Sequence, residues 1–412
     1  MTSAVEKQLR HVFAVTSGAT PESGKAEYWD GDILWVTPED LSALHNYWLE
    51  DTRRKITQAG YESCGTTTAP RGSIVLTKRA PIGQVAVLAE PACSNQGCLL
   101  LTPRRDQDSR YYYYWLSVQT DRLQALGRGS TFMELSTDEL KSLHIPEPPL
   151  YRQSAIADYL DRETARIDAL IAAKERLLGL LAEKRRALIT RAVTRGLDPN
   201  VPLRDSGIPW LGEIPAHWGL KQPKYIFKQS ALPVRDDDEM VTCFRDGQVT
   251  LRRNRRLEGF TEANIGFGYQ GIRAGQLVLH SMDAFAGAIG VSDSDGKCSP
   301  EYIICDPRDA DTNSHYYGHL LRIMALAGFI QASCPAVRER APRIRFSNFG
   351  EMFLPVPPID AQESIVGEIN KNTTLLDALQ ASATKTIGLL RERRDALIGA
   401  AVTGQIDVGS AA

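Results

Sequence analysis

Residues 145–198 read IPEPPLYRQSAIADYLDRETARIDALIAAKERLLGLLAEKRRALITRAVTRGLD, and the chain contains this stretch a second time. The second copy, LPVPPIDAQESIVGEINKNTTLLDALQASATKTIGLLRERRDALIGAAVTGQID, covers residues 354–407. The two copies align without a gap at an offset of 209 residues and are identical at 22 of 54 positions. An internal repeat of this length decides the architecture before any local motif does.

Each copy predicts one long helix that follows a Pro-Pro pair. About 40 residues without proline come after each pair, and at 1.5 Å per residue such a helix is roughly 60 Å long. Asp360 and Glu363 have the spacing of a capping box at the start of the second helix. Gly196 and Gly404 stand where C-terminal caps are expected.

Apolar residues recur in both copies at alternating steps of three and four, which favours a coiled coil over an ordinary surface helix. They are Ile156, Leu160, Ile167, Leu170, Leu177, Leu181 and Leu188 in the first copy, and Ile365, Ile369, Leu376, Leu379, Leu390 and Leu397 in the second. The apolar stripe widens at Ile171, Leu178, Ile189, Val366 and Ile387. A two-stranded seam does not need that width, so a helix from a partner could use it.

Length and composition limit the class of protein. A chain of 412 residues should contain two or more domains, and 43% apolar residues are ample for packed cores. The net charge of −2 gives no overall nucleic-acid signal, so any basic surface must be local. Seven scattered cysteines suggest reduced thiols in a cytoplasm. The N-terminus MTSAVEKQLR lacks the apolar core of a signal peptide, and no apolar run approaches the roughly 18 residues of a membrane span.

Residues 1–147 predict a first globular domain. Strand-like runs lie at Ile33–Thr37, Ser73–Thr77, Val85–Leu88 and Leu99–Thr102. The cluster Tyr111–Trp115 predicts helix packing, with an aromatic platform near nucleic acid as the alternative. Candidate groups for phosphates or base edges are Lys78, Arg79, Arg104, Arg105, Arg128, Ser130 and Thr131, all in predicted turns or loops. Ordinary solvated loop charge explains any single one of them equally well.

Residues 199–214 predict a proline-rich linker, which Trp210 and Trp218 anchor against the next domain. Residues 215–356 then predict a second globular domain that echoes the first. Gly275–Leu279 matches Gly72–Leu76, and a second tyrosine pair follows at the expected distance. The chain is therefore predicted to be two half-chains, each a domain followed by a helix, with the helical segments at 148–198 and 357–412.

The second domain contains the densest positive charge. The arginines concerned are Arg245, Arg252, Arg253, Arg255, Arg256, Arg338, Arg340, Arg343 and Arg345. Arginine suits both phosphate binding and bidentate contact with guanine. A run of charge is usually a solvated face, but two such runs in one domain of a nearly neutral chain favour nucleic acid.

No catalytic constellation is recognisable in the sequence. There is no Asn-Pro-Pro or Asp-Pro-Pro tetrad for amino methylation, no glycine-rich cofactor loop after a strand and no P-loop. His315 and His319 have the spacing of a zinc-binding helix but lack the glutamate of that motif, and the cysteines lack paired spacing. We therefore expect no catalytic residue, no metal and no cofactor on this chain.

The chain resembles the DNA-specificity subunits of type I restriction–modification systems over essentially its full length. The resemblance rests on the helix starts Pro148-Pro149…Gln153 and Pro357-Pro358…Gln362, and on the Ala-Leu-Ile…Ala-Val-Thr helix ends. It rests further on WVTPEDL at 35–41, DSGIPWLGEIPAHW at 205–218, FRDGQV at 244–249, HSMDAF at 280–285 and GAIG at 287–290. The family often has Glu before the motif glutamine, where this chain has Arg152 and Ala361.

The resemblance implies an α+β fold with two mixed α/β target-recognition domains, each followed by a long helix, and the two helices packed as an antiparallel coiled coil. It implies a non-catalytic subunit that recognises a bipartite site on double-stranded DNA. Two adenine-N6 methyltransferase subunits and restriction/translocase subunits would be its partners, and S-adenosylmethionine, ATP and Mg would be bound by them. Gln153 and Gln362, with the heptad residues named above, become the candidates for partner binding. The alternatives are a coiled-coil scaffold that does not recognise DNA and, less favoured, a nuclease or methyltransferase in its own right.

Overall fold

The computed structural model divides the chain into two compact units. Unit 1 contains residues 1–174 and 385–412, and unit 2 contains residues 175–384. The residues that the structure describes are 6–44, 46–127, 133–255, 268–332, 343–406 and 408. Each unit contains the first part of the long helix that follows its own globular region and the last part of the other long helix.

The globular region of unit 1 contains ten strands and six helices among its described residues. The strands are β1 (Glu6–Gln8), β2 (Phe13–Ser17), β3 (Trp29–Val36), β4 (Trp48–Leu49), β5 (Lys55–Ile56), β6 (Ile74–Thr77), β7 (Val85–Leu88), β8 (Ala92–Ser94), β9 (Cys98–Pro103) and β10 (His144–Pro146). The helices are α1 (Leu9–Val12), α2 (Pro38–Ser42), α3 (Gln58–Glu62), α4 (Ser109–Ser117), α5 (Thr120–Ala125) and α6 (Thr137–Ser142), with one 3-10 turn at Ala26–Tyr28. The first long helix is α7 (Leu150–Arg195). The four strand runs predicted from sequence are thereby confirmed.

The described part of unit 2 has shorter strands. They are β11 (Leu203–Asp205), β12 (Glu213–Pro215), β13 (Gly219–Lys221), β14 (Phe227–Gln229), β15 (Val241–Cys243), β16 (Val249–Leu251), β17 (Gln270–Ile272), β18 (Leu277–His280), β19 (Ile289–Val291), β20 (Gly296–Cys298), β21 (Tyr302–Pro307) and β22 (Leu354–Val356). The helices are α8 (Pro223–Ile226), α9 (Ser314–Leu326), α10 (Phe329–Ala332), α11 (Phe346–Gly350) and the second long helix α12 (Ile359–Val402), with 3-10 turns at Arg252–Asn254 and Ala284–Ala286.

The central sheets of the two units have the same order. In unit 1 five strands run β2-β9-β6-β7-β4, and in unit 2 four strands run β14-β21-β18-β19. Ile74 of β6 pairs with Val87 and Leu101, while Leu277 of β18 pairs with Val291 and Cys305, all antiparallel. All four residues of β6 are buried, because side chains of the unit pack on both faces of this central strand.

A glutamine side chain fixes the start of each long helix. Gln153 Oε1 accepts from the backbone N–H of Asp108 at 2.9 Å, and Gln362 Oε1 accepts from that of Asn313 at 2.9 Å. Each glutamine Nε2 also donates to a carbonyl of its Pro-Pro pair, at 2.8 and 2.9 Å. Asp108 and Asn313 are the N-caps of α4 and α9, so these bonds join the long helix to the helix behind the sheet.

The two ends of the long helices test the capping predictions. The expected capping box at Asp360 is wrong, because α12 already begins at Ile359 and Asp360 lies in its first turn. The C-terminal caps are confirmed: Gly196 and Gly404 both have a φ of 76°. That left-handed conformation costs glycine little and a β-carbon much.

The end of each long helix completes a core formed mostly by the other half-chain. Ile398, Ala401 and Val402 of α12 belong to the core of unit 1. In unit 2 the corresponding part of α7 contributes Ile189, Ala192 and Val193. A buried tyrosine hydroxyl binds the end of the helix in each unit: Tyr111 donates to Val402 O at 3.2 Å and Tyr316 to Val193 O at 2.8 Å.

The helices are antiparallel within each unit, because the first turns of one helix share a core with the last turns of the other: Ile156 with Ile398 in unit 1 and Ile365 with Ile189 in unit 2. An equivalent ion pair joins the helices in each unit. Asp168 of α7 pairs with Arg394 of α12 at 3.1 Å in unit 1. In unit 2 Arg185 of α7 pairs with Asp377 of α12. Asp377 lies 209 residues after Asp168 and Arg394 lies 209 residues after Arg185, so both units use the same pair of repeat positions.

The buried stripe of the helices is rotated relative to the predicted seam. Ile156, Leu160, Ile167, Leu181, Ile365, Ile369 and Leu376 are buried as expected, and Leu188, Leu390 and Leu397 are half-buried. Leu170, Leu177 and Leu379, however, are exposed, so their placement in the seam is wrong. Residues attributed to the widened stripe take their place: Ile171 and Leu178 are half-buried, and Ile387 is buried.

This rotation predicts effects of different size for two leucines on the same helix and in the same unit. Leu160→Ala should lower the free energy of unfolding by about 2–5 kcal/mol, because Leu160 is completely buried and its loss leaves a cavity. Leu170→Ala, at a 53% exposed position, should change it by less than about 0.5 kcal/mol. Urea unfolding of both variants measures the difference. Equal destabilisation would show that Leu170 lies in the seam after all.

Candidate nucleic-acid interface and helix surfaces

In unit 1 the predicted cations Lys78 and Arg79 share one carboxylate. Lys78 Nζ lies 2.9 Å from Glu134 Oε1, and Arg79 Nε lies 3.2 Å from Oε2. Hydrogen bonding from Lys78 is the main cause that lowers the pKa of Glu134. The Lys78 side chain is only 13% exposed, whereas that of Arg79 is 50% exposed. Arg79 is therefore the one of the two that can reach a ligand while Glu134 orients it.

Arg104 has a structural position. Its Nε donates to the carbonyls of Arg10 at 2.9 Å and Phe13 at 3.3 Å, at the start of β2. Arg308, which the sequence analysis did not single out, makes the same pair of bonds in unit 2, to Lys224 O and Phe227 O. The shared Pro-Arg dipeptide at the end of β9 and β21 is the signal that could have found it. Arg105, the next predicted candidate, is exposed.

In unit 2 two of the predicted arginines, Arg245 and Arg343, contact residues in or beside the turn that follows β18. Arg245 Nη2 lies 2.9 Å from Asp283 Oδ1, and Arg343 Nη1 lies 3.1 Å from Glu301 Oε1. The side chains of both arginines are more than half exposed. A carboxylate that holds one edge of a guanidinium leaves its other N–H donors free to bind a ligand.

The first arginine run of unit 2 is also paired. Arg253 forms an ion pair with Glu239, and Arg255 lies 2.6 Å from Asp246 and 4.4 Å over the ring of Phe244. Arg252 Nε donates to Thr242 Oγ1 at 3.3 Å. The acidic partners come from loops that face these arginines, so the local net charge is smaller than the arginine count suggests.

Other predicted site residues are placed as follows. Arg345 is exposed and is the N-cap of α11. The remaining candidates lie outside the described residues: Arg128, Ser130, Thr131, Arg256, Arg338 and Arg340.

Arg322 of α9 is a residue that sequence reasoning missed. Gly247 and Gly287 pack against it so closely that a β-carbon at Gly247 would lie 2.7 Å from Arg322 Cδ. Burial lowers the pKa of Arg322, and its Nε is buried without a hydrogen-bond partner in the described structure. Its Nη2 donates to the carbonyl of Arg245 at 3.5 Å, so this guanidinium lies directly behind the turn that carries Arg245 and Asp246.

The candidates for partner binding separate into buried and exposed positions. Gln153 and Gln362 are buried in the contacts already described, so they are not accessible to another chain. The same applies to the buried heptad residues. Leu170, Leu177 and Leu379 are accessible, and so are three leucines that the heptad analysis did not include: Leu180, Leu375 and Leu389. Leu170 and Leu379 are equivalent repeat positions, as are Leu180 and Leu389.

Two further kinds of site are absent from the described residues. Within these ranges, no group of three or more His, Cys, Asp or Glu side chains could hold a metal ion. No helix in the described part of the chain is long and apolar enough to cross a membrane.

Comparison with known proteins gives a domain match in the first half of the chain and a shared fold over nearly all of it. Residues 2–178 match the type I restriction modification DNA specificity domain. A specificity subunit of the type I restriction enzyme MjaIX from Methanocaldococcus jannaschii is 37% identical over 156 residues, which are 37% of this chain and 36% of the relative. The chain thus spans about a third of that relative's length. The EcoBI specificity subunit of Escherichia coli is 23% identical over 77% of this chain and 70% of its own.

Two solved structures show the same fold over nearly the whole chain. One concerns complex assembly and conformational transition of the type I R-M system, with a TM-score of 0.68, 15% identity and coverage of 98% of this chain and 99% of the other. The other is the crystal structure of the HsdS subunit from Thermoanaerobacter tengcongensis, with a TM-score of 0.55, 14% identity and coverage of 98% of both chains.

His319 predicts that unit 2 is acid-sensitive. Burial is the largest cause that lowers the pKa of His319 to about 4, and the neighbouring His315, Arg322 and Arg185 lower it further. Its unfolded value is near 6.5, so the neutral form stabilises the fold above pH 6.5 and this stability is lost as the pH falls from 6.5 towards 4. The full loss is about 3 kcal/mol.

His319→Phe should remove much of this pH dependence. Hydrogen exchange of α9 at pH 7 and pH 4.5 reports the local opening free energy. The matched control is His217→Phe, at an exposed histidine of the same unit, which should retain the pH dependence of the wild type. An unchanged pH dependence in His319→Phe would contradict the assignment to His319.

Proposed function

We propose that this chain is a member of the type I restriction–modification DNA specificity family and that it recognises a bipartite site on double-stranded DNA. The match of residues 2–178 to that family's domain supports the proposal. Each globular region recognises one half of the site, and the chain itself catalyses no reaction. It serves as the specificity subunit of a methyltransferase and restriction complex, acting in the cytoplasm. The observation that carries this proposal is that the two units share their supporting contacts and differ at their charged turns.

The supporting contacts are the same in chemistry and place. The glutamine at the start of each helix, the tyrosine at the end of each helix and the aspartate–arginine pair between the helices occur once in each unit. Because equivalent contacts hold both units, each unit presents its surface in the same orientation relative to its own helices. A protein that recognises two half-sites with one architecture needs this equivalence.

The charged turns differ at equivalent positions. Leu135 N donates to Lys78 O in unit 1, and Ile344 N donates to Ser281 O in unit 2. The residue before each donor is Glu134 in the first case and Arg343 in the second. In unit 1 this position holds a carboxylate that orients Arg79, whereas in unit 2 it holds an arginine itself. The two units therefore present their guanidinium donors from different positions, which favours different bases.

The exposed leucines of the long helices support the partner assignment. Leu170 in unit 1 and Leu379 in unit 2 are equivalent and exposed, and so are Leu389 and Leu180. Each unit therefore presents one copy of the same apolar surface, which fits two copies of one partner. We assign these surfaces to two adenine-N6 methyltransferase subunits; S-adenosylmethionine binds to them, while ATP and Mg belong to the restriction/translocase subunits.

Domain exchange tests the recognition proposal. Residues 1–144 are replaced by the equivalent domain of a relative with a different site, while both long helices are kept. Methylome sequencing of a host that carries the chain with its methyltransferase should then show one half-site changed and the other unchanged. A change in both half-sites, or only in the gap between them, would contradict independent recognition. A scaffold without DNA recognition would give no sequence-specific methylome.

The purified chain alone should transfer no methyl group from S-adenosylmethionine.

Charge on the leucine surface tests the partner assignment. The double variant Leu170→Asp with Leu379→Asp should lose co-purification with the methyltransferase and keep the stability of the wild type, because both side chains are exposed. The matched control is Ala172→Asp with Ala381→Asp, also equivalent and exposed but about 200° further round each helix. Normal co-purification of the leucine variant would place the docking surface elsewhere.

A further inference from the structure

The turn after β18 carries an exposed methionine at its tip. Met282 is 40% exposed, although the turn around it is well ordered by hydrogen bonds. His280 Nδ1 accepts from the backbone N–H of Met282 at 3.3 Å and from that of Asp283 at 3.1 Å. Two N–H donors at Nδ1 require that this nitrogen carries no proton, and burial, which lowers the pKa of His280, favours the neutral ring.

Further contacts hold the turn from both sides. Ser281 Oγ donates to Glu301 Oε2 at 2.6 Å, and Ser281 O accepts from Ile344 N at 3.0 Å. On the other side Asp283 O accepts from Ala286 N at 2.9 Å and from Ala288 N at 3.1 Å. The backbone that carries Met282 is therefore fixed before any ligand binds, which lowers the entropy lost on binding.

Met282 lies between the contacts that orient two arginines of unit 2, Arg245 and Arg343. The next residue, Asp283, holds Arg245, and Glu301, which binds the preceding Ser281, holds Arg343. Arg343 Nη2 also lies 3.6 Å from Met282 Sδ. The exposed apolar side chain is thus flanked by contacts to two exposed and oriented guanidinium groups.

We propose that Met282 contacts the C5-methyl group of a thymine in the half-site recognised by unit 2. The inference rests on the proposed DNA recognition. In the major groove the thymine methyl is the one apolar group that a base edge presents, and it distinguishes thymine by apolar contact. Arginine donors on either side recognise guanine N7 and O6 in the same groove. A fixed methionine between them adds a position that hydrogen bonds alone do not read.

Methyl deletion in the DNA tests this contact. The complex of the chain with its methyltransferase is bound to duplexes that carry the site found by methylome sequencing, with each thymine of the unit 2 half-site replaced in turn by deoxyuridine. At one position the wild-type complex should bind about fourfold more weakly, the value of one buried carbon. Met282→Ala should show no loss at that position, and Met282→Leu should keep most of it.

Met133→Ala is the matched control, because Met133 of unit 1 is also exposed, at 46%, and lies beside the Glu134 cluster. It should keep the full sensitivity at the unit 2 half-site. The inference is overturned if no thymine methyl matters there, or if Met282→Ala keeps the sensitivity. It is also overturned if binding unstacks a base step, seen as a rise in 2-aminopurine fluorescence, without methyl dependence, which would make Met282 a wedge. A complex that binds a duplex without the site as tightly as a duplex with it overturns the proposed function instead.

Discussion

Neither globular region completes its own hydrophobic core. Unit 1 needs Ile398 and Val402, which come from the far end of the chain, and unit 2 needs Ile189 and Val193, which come from the helix of the first half-chain. These side chains are buried together with the tyrosine and phenylalanine rings behind each sheet. The cost of exposing them ties the fold of each half to the presence of the other. The long helices are thus parts of both cores as well as a connection between them.

This constraint explains which features of the two halves stay alike. A glutamine that binds an N-cap amide, or a tyrosine that binds the last carbonyls of a helix, has one geometry in which every buried polar group is satisfied. Leaving one of these groups unpaired costs roughly 1–3 kcal/mol. The fold therefore fixes the positions of Gln153, Gln362, Tyr111 and Tyr316. Their presence in a sequence indicates the contacts that hold the ends of the long helices.

The sequence predicted the duplication, the long helices, four strands and the glycine caps, because those depend on local periodicity and backbone conformation. It misplaced the seam, since Leu170 and Ile171 offer two stripes one residue apart and only the partner helix decides between them. It also counted arginines without their partners. Glu134 and Glu301 lie 55 and 42 residues from the cations that they hold, and the spacing of charges along a chain does not reveal such pairs.

The same reasoning indicates where such a protein can change. Met282 and the guanidinium of Arg245 are exposed, so replacing them removes little buried area. The hydrogen bonds of the backbone still hold the turn. The ring of His280 and the hydroxyl of Ser281, which hold that turn, are not free in this way, because each is already bonded to a backbone amide or a carboxylate. The side chains at the tip can therefore vary at small cost in stability, while the residues directly beneath them keep the backbone of the turn in place.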